Sequence, residues 1–88
     1  MEKNELRPET EGKPIVVEVN GRDVLVALKR ATGLQIKEAA IAQGVNIQIN
    51  FVLQQELPNG ASAIIGDTDM VHIHAHLKFT AIAPDDNS

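Results

Sequence analysis

Three histidines at alternate positions, His72, His74 and His76, have the residue type and spacing of a chemical site. Alternate side chains of an extended strand share one face, and neutral imidazoles so placed could bind Zn²⁺ or Cu²⁺. The chain has no cysteine to complete such a site, and a break in the strand would separate the three rings. A polar row at every second position is also what any strand with a solvated face shows. We therefore expect no metal ion and no cofactor here.

Two carboxylates, Asp67 and Asp69, are separated by Thr68 and follow Gly66. No calcium-loop spacing follows them, and a glycine among short polar residues is typical of a turn. Ser62 is the only internal serine, and no sequence context around it suggests a general base. The sequence also lacks the motifs of phosphate-binding loops, dinucleotide-binding folds, zinc proteases and serine hydrolases. We expect that the chain is not an enzyme.

The composition narrows the classes of partner. A net charge of −4, with Phe51 and Phe79 as the only aromatic residues, argues against a nucleic-acid partner, which requires basic surface and stacking platforms. No apolar run approaches the roughly 18 residues of a membrane-spanning helix, and the N-terminus lacks the hydrophobic region of a signal peptide. The absence of cysteine excludes disulfides. We expect a cytoplasmic protein with neither a nucleic-acid nor a membrane partner.

The polar N-terminal residues 1–13 alternate acids with Lys and Arg and show no periodicity that could bury a face. We predict a disordered leader over 1–13, one domain over 14–83, and a flexible tail over 84–88. A docking function of the leader is the alternative interpretation of its composition.

A β-hairpin is predicted after Pro14, where I-V-V-E-V and R-D-V-L-V-A-L flank Asn20-Gly21. Asn-Gly supplies positive φ at both turn positions, which fixes the strand register. The predicted pairs are Ile15 with Val26, Val17 with Val24, Val16 with Leu25, and Glu18 with Asp23. Because the last pair brings like charges together, its side should face solvent, and the side with Ile15, Val17, Val24 and Val26 should face the core.

The stretch from Thr32 to Gly44 carries the start, period and stop signals of a helix. Thr32 with Gln35 forms a capping box, and Gly44 is the expected left-handed end. Lys37 and Glu38 are expected to point away from the core. The residues that share the core-facing stripe are Ile36, Ala39, Ala40 and Gln43.

Three further strands are expected after the helix. Apolar residues alternate from Ile47 to Leu53, which predicts a half-buried strand, and a short strand is predicted from Ala61 to Ile65 between two turns. From Val71 onward every second residue is apolar, but one strand of that length would reach about 40 Å. We therefore expect a break near Ala75 to Lys78 and a last strand from Lys78 to Ala83.

A hairpin, a helix, a strand, a short strand, a turn segment and a final strand with a free C-terminal tail form the order of an α+β β-grasp domain. Its mixed sheet of four to five strands carries one helix across one face, with the first and last strands parallel at the centre. Four stretches resemble the bacterial multiubiquitin group, ubiquitin-like domains encoded beside activating and conjugating enzymes and a protease. They are T-G-L-Q-I-K-E-A-A (Thr32 to Ala40), I-N-F-V-L (Ile49 to Leu53), I-I-G-D (Ile64 to Asp67) and K-F-T-A-I-A-P-D-D-N-S (Lys78 to Ser88).

The resemblance implies a ubiquitin-like protein modifier of a bacterial ubiquitination-like pathway. A carboxylate is a poor electrophile, so an activating enzyme would use ATP to adenylate the C-terminus before a conjugating enzyme passes it to a target amine as an isopeptide bond. The conjugation tail would be Pro84, Asp85, Asp86, Asn87 and Ser88. The tail departs from a diglycine ending, so the partner enzyme would need a wider groove. Our hypothesis is that a protease first removes Ser88, which leaves Asn87 as the acyl donor. The alternative is a non-conjugated β-grasp interaction or adaptor module with an inert tail.

The solvated face of the sheet is the second candidate site. By strand parity it carries four apolar residues among polar ones, namely Val16, Leu25, Val52 and Ile82. An exposed apolar patch commonly marks a partner-binding site, and ubiquitin-like modifiers use this face of the sheet. The alternative is that each residue was selected for strand propensity alone.

Overall fold

The computed structural model describes residues 10–84. The elements in chain order are β1 (Thr10–Val19), β2 (Arg22–Leu28), β3 (Arg30–Thr32), α1 (Gly33–Ala42), β4 (Val52–Glu56), β5 (Ser62–Ile65), β6 (Met70–His72) and β7 (Lys78–Ile82). Five strands form one sheet in the order β2-β1-β7-β4-β5, and β3 pairs with β6 separately. In the five-stranded sheet β1 and β7 run parallel, while the other neighbours are antiparallel. The α+β β-grasp fold is confirmed.

The chain termini are only partly within the described residues. Strand β1 begins at Thr10, so the boundary that the sequence placed between residues 13 and 14 falls inside this strand. Residues 1–9 of the predicted leader and Asp85 to Ser88 of the predicted tail lie outside the described range. Among residues 10–84, no helix has the length and apolar character to cross a bilayer.

The predicted hairpin is confirmed in its turn, register and orientation. Asn20 and Gly21 have φ of 53° and 77°, and all four predicted cross-strand pairs are present. Val17 and Val24 are 1% and 0% exposed, whereas Asp23 lies on the solvated side. The Asn-Gly turn therefore sets which face of both strands enters the core.

The helix starts and stops where local chemistry predicts. Thr32 and Gln35 form the reciprocal capping box, and Gly44 adopts a φ of 96°. The first turn also docks on a distant turn, because the N–H groups of Gly33 and Leu34 donate to the carbonyls of Asp69 and Asp67 at 3.1 and 3.2 Å. A Cβ on residue 33 would collide with the carbonyl oxygen of Gly66, so this close approach requires glycine.

The core-facing stripe of α1 differs from the predicted one. Ile36 and Ala40 are fully buried, but Gln43 is exposed, and the side chain expected to point away, Lys37, is 3% exposed. The buried set of the helix is Gly33, Ile36, Lys37 and Ala40. The prediction for Lys37 was wrong because backbone carbonyls from a distant loop receive its ammonium group inside the fold.

The strand predicted over Ile47 to Leu53 is also displaced, since β4 begins at Val52. Val45 and Ile47 are buried, but Ile49 is 44% exposed, so the apolar alternation fails before the strand begins. The loop carbonyls of Ile49 and Phe51 accept hydrogen bonds from Lys37. The alternation of apolar residues correctly marked residues that contact the core. It did not show whether the backbone of those residues is hydrogen-bonded to a neighbouring strand.

The predicted break in the C-terminal apolar series is confirmed. Strand β6 ends at His72 and β7 begins at Lys78, with His76 at a φ of 72° between them. Strand β7 ends at Ile82, one residue before the predicted end. Its inward residues Phe79 and Ala81 are 2% and 6% exposed, so the last strand contributes to the centre of the core.

Candidate functional site

Strand β7 lies in the middle of the sheet and is the last strand before the predicted tail. It pairs with β1 through Glu18 beside Lys78 and with β4 through residues as far as Val52 opposite Ile82. Ala83 and Pro84 follow and are exposed. Proline has no N–H for a strand ladder, which suits the end of pairing here. The last two described residues thus directly follow a strand that is held on both sides.

Asn20 holds the end of β7 on the side of β1. The backbone of Ala81 donates to Asn20 Oδ1 at 2.8 Å, and Asn20 Nδ2 donates to the carbonyl of Ala81 at 3.2 Å. Strand β1 has already turned at Asn20, so this side-chain amide supplies the two hydrogen bonds that a further strand residue would have made. Sequence reasoning assigned Asn20 to the turn alone, and no local signal indicated its second role.

The four residues of the predicted patch all lie on the outer face of the sheet. Val16, Leu25 and Ile82 are 43%, 50% and 46% exposed, and Val52 is half-buried. They do not form one patch. Val16 precedes the Glu18–Lys78 pair by two residues and Ile82 follows it by four, which separates them by about 20 Å along the strands.

The outer face instead carries two apolar groups. Val16 pairs with Leu25 at one end, and Val52 pairs with Ile82 at the other. The second group includes Ile64, which lies on β5 opposite Gln54 and is 68% exposed. Sequence reasoning missed Ile64 because the short segment around it has no alternation that distinguishes an inner from an outer face.

The three histidines do not form a site. His72 lies on β6, paired with Arg30 of β3, and the break that contains His76 separates it from His72. Within the part of the chain that the structure describes, no three His, Cys, Asp or Glu side chains are grouped so that they could bind one metal ion.

The two aspartates in the glycine turn serve the turn and its contacts. Asp69 Oδ2 accepts the N–H of Gly66 at 2.8 Å, and the N–H of Asp69 donates to the Gly66 carbonyl at 3.1 Å. Asp67 Oδ1 instead lies 2.9 Å from Lys37 Nζ. Turn chemistry therefore accounts for Asp69, and an ion pair accounts for Asp67.

Lys37 is the buried ionic group that sequence reasoning missed. Its ammonium donates to the carbonyls of Ile49 and Phe51 at 2.6 and 2.8 Å and contacts Asp67. These three acceptors match the three N–H donors of a lysine. The Lys37 side chain is 4% exposed and that of Asp67 is 57% exposed. Its amine is therefore committed to the fold and is not available for acylation.

Comparison with known proteins identifies the family. A family model described as Multiubiquitin matches residues 15–85, a span that begins within β1 and includes the rest of the hairpin, the helix and all of β7. No curated protein and no solved structure gives a match. The chain is a ubiquitin-like domain that belongs to the multiubiquitin family.

Proposed function

We propose that this ubiquitin-like domain is a conjugatable modifier whose working group is the carboxylate of its tail. The observation that carries the proposal is the position of β7, which is held by Asn20 on one side and by β4 on the other. A tail that leaves from this strand starts at a fixed point. Because five residues from Ala83 to Asn87 span at most about 17 Å when extended, an enzyme bound to the domain would find the carboxylate within a defined radius.

The chemistry begins with hydrolysis of the Asn87–Ser88 peptide bond by a protease, which leaves a carboxylate on Asn87. An activating enzyme joins this carboxylate to AMP and releases pyrophosphate from ATP. An enzyme thiolate then displaces AMP to form a thioester, and a target amine displaces the thiol to form an amide. All catalytic groups belong to the partner enzymes.

The tail composition defines the partner groove. Asn87 is larger than glycine, so the channel must be wider than one that admits only a diglycine ending. Asp85 and Asp86 precede it, and arginine or lysine side chains in the groove would bind these carboxylates. The outer face near Ile82 adjoins the start of the tail, and we assign enzyme docking to that end of the sheet.

Intact mass spectrometry of the full chain tests this proposal. The chain, with an N-terminal affinity tag, is expressed in the host where its gene occurs and recovered under denaturing conditions. We expect a free form lighter by one serine residue and conjugates in which Asn87 is joined to lysine side chains. A variant without residues 85–88 serves as the matched control and should give no conjugates.

The outcomes separate the parts of the proposal. Conjugates joined through Ser88 would contradict the processing step alone. If the chain is recovered unprocessed and without conjugates, and if it still co-purifies with a partner under native conditions, the modifier proposal is wrong and the adaptor alternative is supported.

A further inference from the structure

The five-stranded sheet has two edges, and within residues 10–84 a side chain caps the centre of only one of them. At the β2 edge, Val19 and Arg22 flank the two-residue turn, so their backbones are hydrogen-bonded to each other. Hydrogen-bonded pairs recur at every second residue of an antiparallel ladder. Leu25, three residues after Arg22, therefore directs its N–H and C=O away from β1. The Gln43 side chain satisfies both: its Oε1 accepts from the N–H of Leu25 and its Nε2 donates to the carbonyl, each at 2.8 Å. Gln43 therefore occupies the place of a further strand.

The β5 edge is open at its centre. The carbonyls of Leu77 and Phe79 accept hydrogen bonds from the backbone of β1. Successive residues of a strand direct their N–H and C=O to opposite sides, so Thr80 directs its backbone groups to β4 and bonds to Gln54. Because neighbouring residues of a strand direct their backbone groups to opposite sides, Leu53 and Gln55 bond to β5 instead. Leu53 pairs with Ile65, and Gln55 pairs with Ala63. The remaining β5 residues, Ser62 and Ile64, direct their N–H and C=O outward. Within residues 10–84, no side chain caps Ile64 as Gln43 caps Leu25.

The surroundings of this open edge are apolar on the outer face and acidic at the ends. Ile64 is 68% exposed and lies diagonally across from Val52 on β4, which in turn pairs with Ile82 on β7. Residues 52–69 contain Glu56, Asp67 and Asp69 but no lysine or arginine. Lys37 compensates the charge of Asp67. Lys78 follows the Gln55–Phe79 pair in register and so lies beside Glu56, but it also lies beside Glu18. One positive charge is thus shared by two carboxylates, and with Asp69 the edge keeps a net negative charge.

We propose that the β5 edge binds an extended basic peptide as an added strand. The N–H and C=O of Ile64 would pair with the peptide backbone, and an apolar peptide residue would lie beside Ile64 on the outer face. Lysine or arginine at the peptide ends would complement Glu56 and Asp69. A second copy of this edge fits less well, because the two acidic borders would face each other along a strand of only four residues.

This site is separate from the tail and from its conjugation. It predicts binding of a peptide by a folded domain without ATP or partner enzymes. Failure of the conjugation experiment would leave the β5 site intact, and failure of the peptide experiment would leave the modifier proposal intact.

The test uses the full ¹⁵N-labelled chain and a capped heptapeptide of alternating valine and threonine with lysine at each end. We expect shifts in the amide signals of residues 62–66 and of Val52 and Ile82, with slower hydrogen exchange at Ile64. The matched control peptide carries glutamate at each end and should bind at least about tenfold more weakly. Shifts confined to β2, or equal binding of the two peptides, would overturn the proposal.

Two variants at one position separate the backbone contact from the side chain. Ile64→Pro removes the outward N–H without removing a bond to β4, a position where edge strands tolerate proline, and should raise the Kd at least about tenfold. Ile64→Val keeps the N–H and an apolar side chain and should bind nearly as well as the native chain. Because both amide spectra report folding directly, a folded Ile64→Pro variant with native affinity would overturn the proposal. Sedimentation that shows dimers of the native chain but not of Ile64→Lys would also overturn it, in favour of self-association.

Discussion

The side chain of Asn20 and the backbone of Ala81, 61 residues apart in the chain, form a two-bond pair at the end of the last strand. A turn residue thereby joins the N-terminal hairpin to the segment that precedes the tail. The same residue supplies the positive φ that the hairpin requires. Asn20 thus has two structural roles, one in the turn and one at the end of β7. A substitution that keeps the first role and removes the second can test the second separately.

Asn20→Gly should loosen the end of β7 without disturbing the hairpin turn. Glycine accepts the positive φ of Asn20, but the N–H and C=O of Ala81 lose their partners. We expect a loss of about 1 to 2 kcal/mol in the free energy of unfolding, with faster hydrogen exchange at Ala81. Asn59→Gly, at another turn whose amide bonds to Ala61, is the control and should leave exchange at Ala81 unchanged. Unaltered exchange in Asn20→Gly would contradict the second role of Asn20.

Lys37→Met should destabilise the domain more than Asp67→Asn. Methionine fills a similar volume but leaves the part-buried carbonyls of Ile49 and Phe51 without their donor, and the loss of both bonds should cost about 1 to 3 kcal/mol together. Asp67 is 57% exposed, and asparagine keeps a side-chain oxygen that can accept from the Lys37 ammonium, so loss of the Asp67 charge should cost about 1 kcal/mol. Urea unfolding measures both variants. Equal stabilities would show that Lys37 serves the ion pair and not the loop.

Gly33→Ala should reduce stability, although alanine is the better helix former. A Cβ at this position meets the carbonyl of Gly66, and the displaced turn would weaken the bonds from Gly33 and Leu34. We expect a loss of at least about 1 kcal/mol, measured by thermal unfolding. Ala42→Gly, in the exposed last turn, isolates the propensity effect and should cost about 1 kcal/mol at most. A more stable Gly33→Ala variant would contradict the close approach.

Ile82→Glu and Leu25→Glu should separate the two apolar groups in the proposed conjugation. Both side chains are about half exposed, at 46% and 50%, so we expect both variants to fold. Ile82 lies beside the start of the tail, and its substitution should lower the yield of conjugates. Leu25→Glu is the matched control at the far end of the outer face. A yield reduced only by Leu25→Glu would move the docking surface to the Val16–Leu25 pair.

Sequence reasoning succeeded where neighbouring residues decide the structure. The turn at Asn20-Gly21 fixes a register, and Thr32 with Gln35 caps a helix, because the atoms involved lie within a few residues of one another. The break before Lys78 followed from strand length alone. These local rules were sufficient for the order of the helix and of the strands in the five-stranded sheet, and hence for the fold, but they did not predict β3 or its pairing with β6.

The interactions that sequence reasoning missed join residues far apart in the chain. Lys37 reaches carbonyls 12 and 14 residues away, and Gln43 reaches Leu25 at a separation of 18. An apolar period cannot show that a polar side chain will be received by a distant backbone. The same limit explains why a single apolar patch was predicted where the structure has two groups. The alternation of residues along each strand assigned the correct face, but the distance between residues on that face depends on the register of β1 against β7.

The position of β7 has a consequence for how the domain folds. Without β7, the five-stranded sheet divides into the hairpins β2-β1 and β4-β5, and the contacts between the two parts of the chain are reduced to the helix and the short β3–β6 pair. An isolated two-stranded hairpin is at best marginally stable in water. We therefore expect the two parts of the sheet to gain and lose structure together, in one cooperative transition. Any enzyme that recognises the outer face near Ile82 would then discriminate against unfolded copies, because that surface exists only after the last strand has joined the two parts.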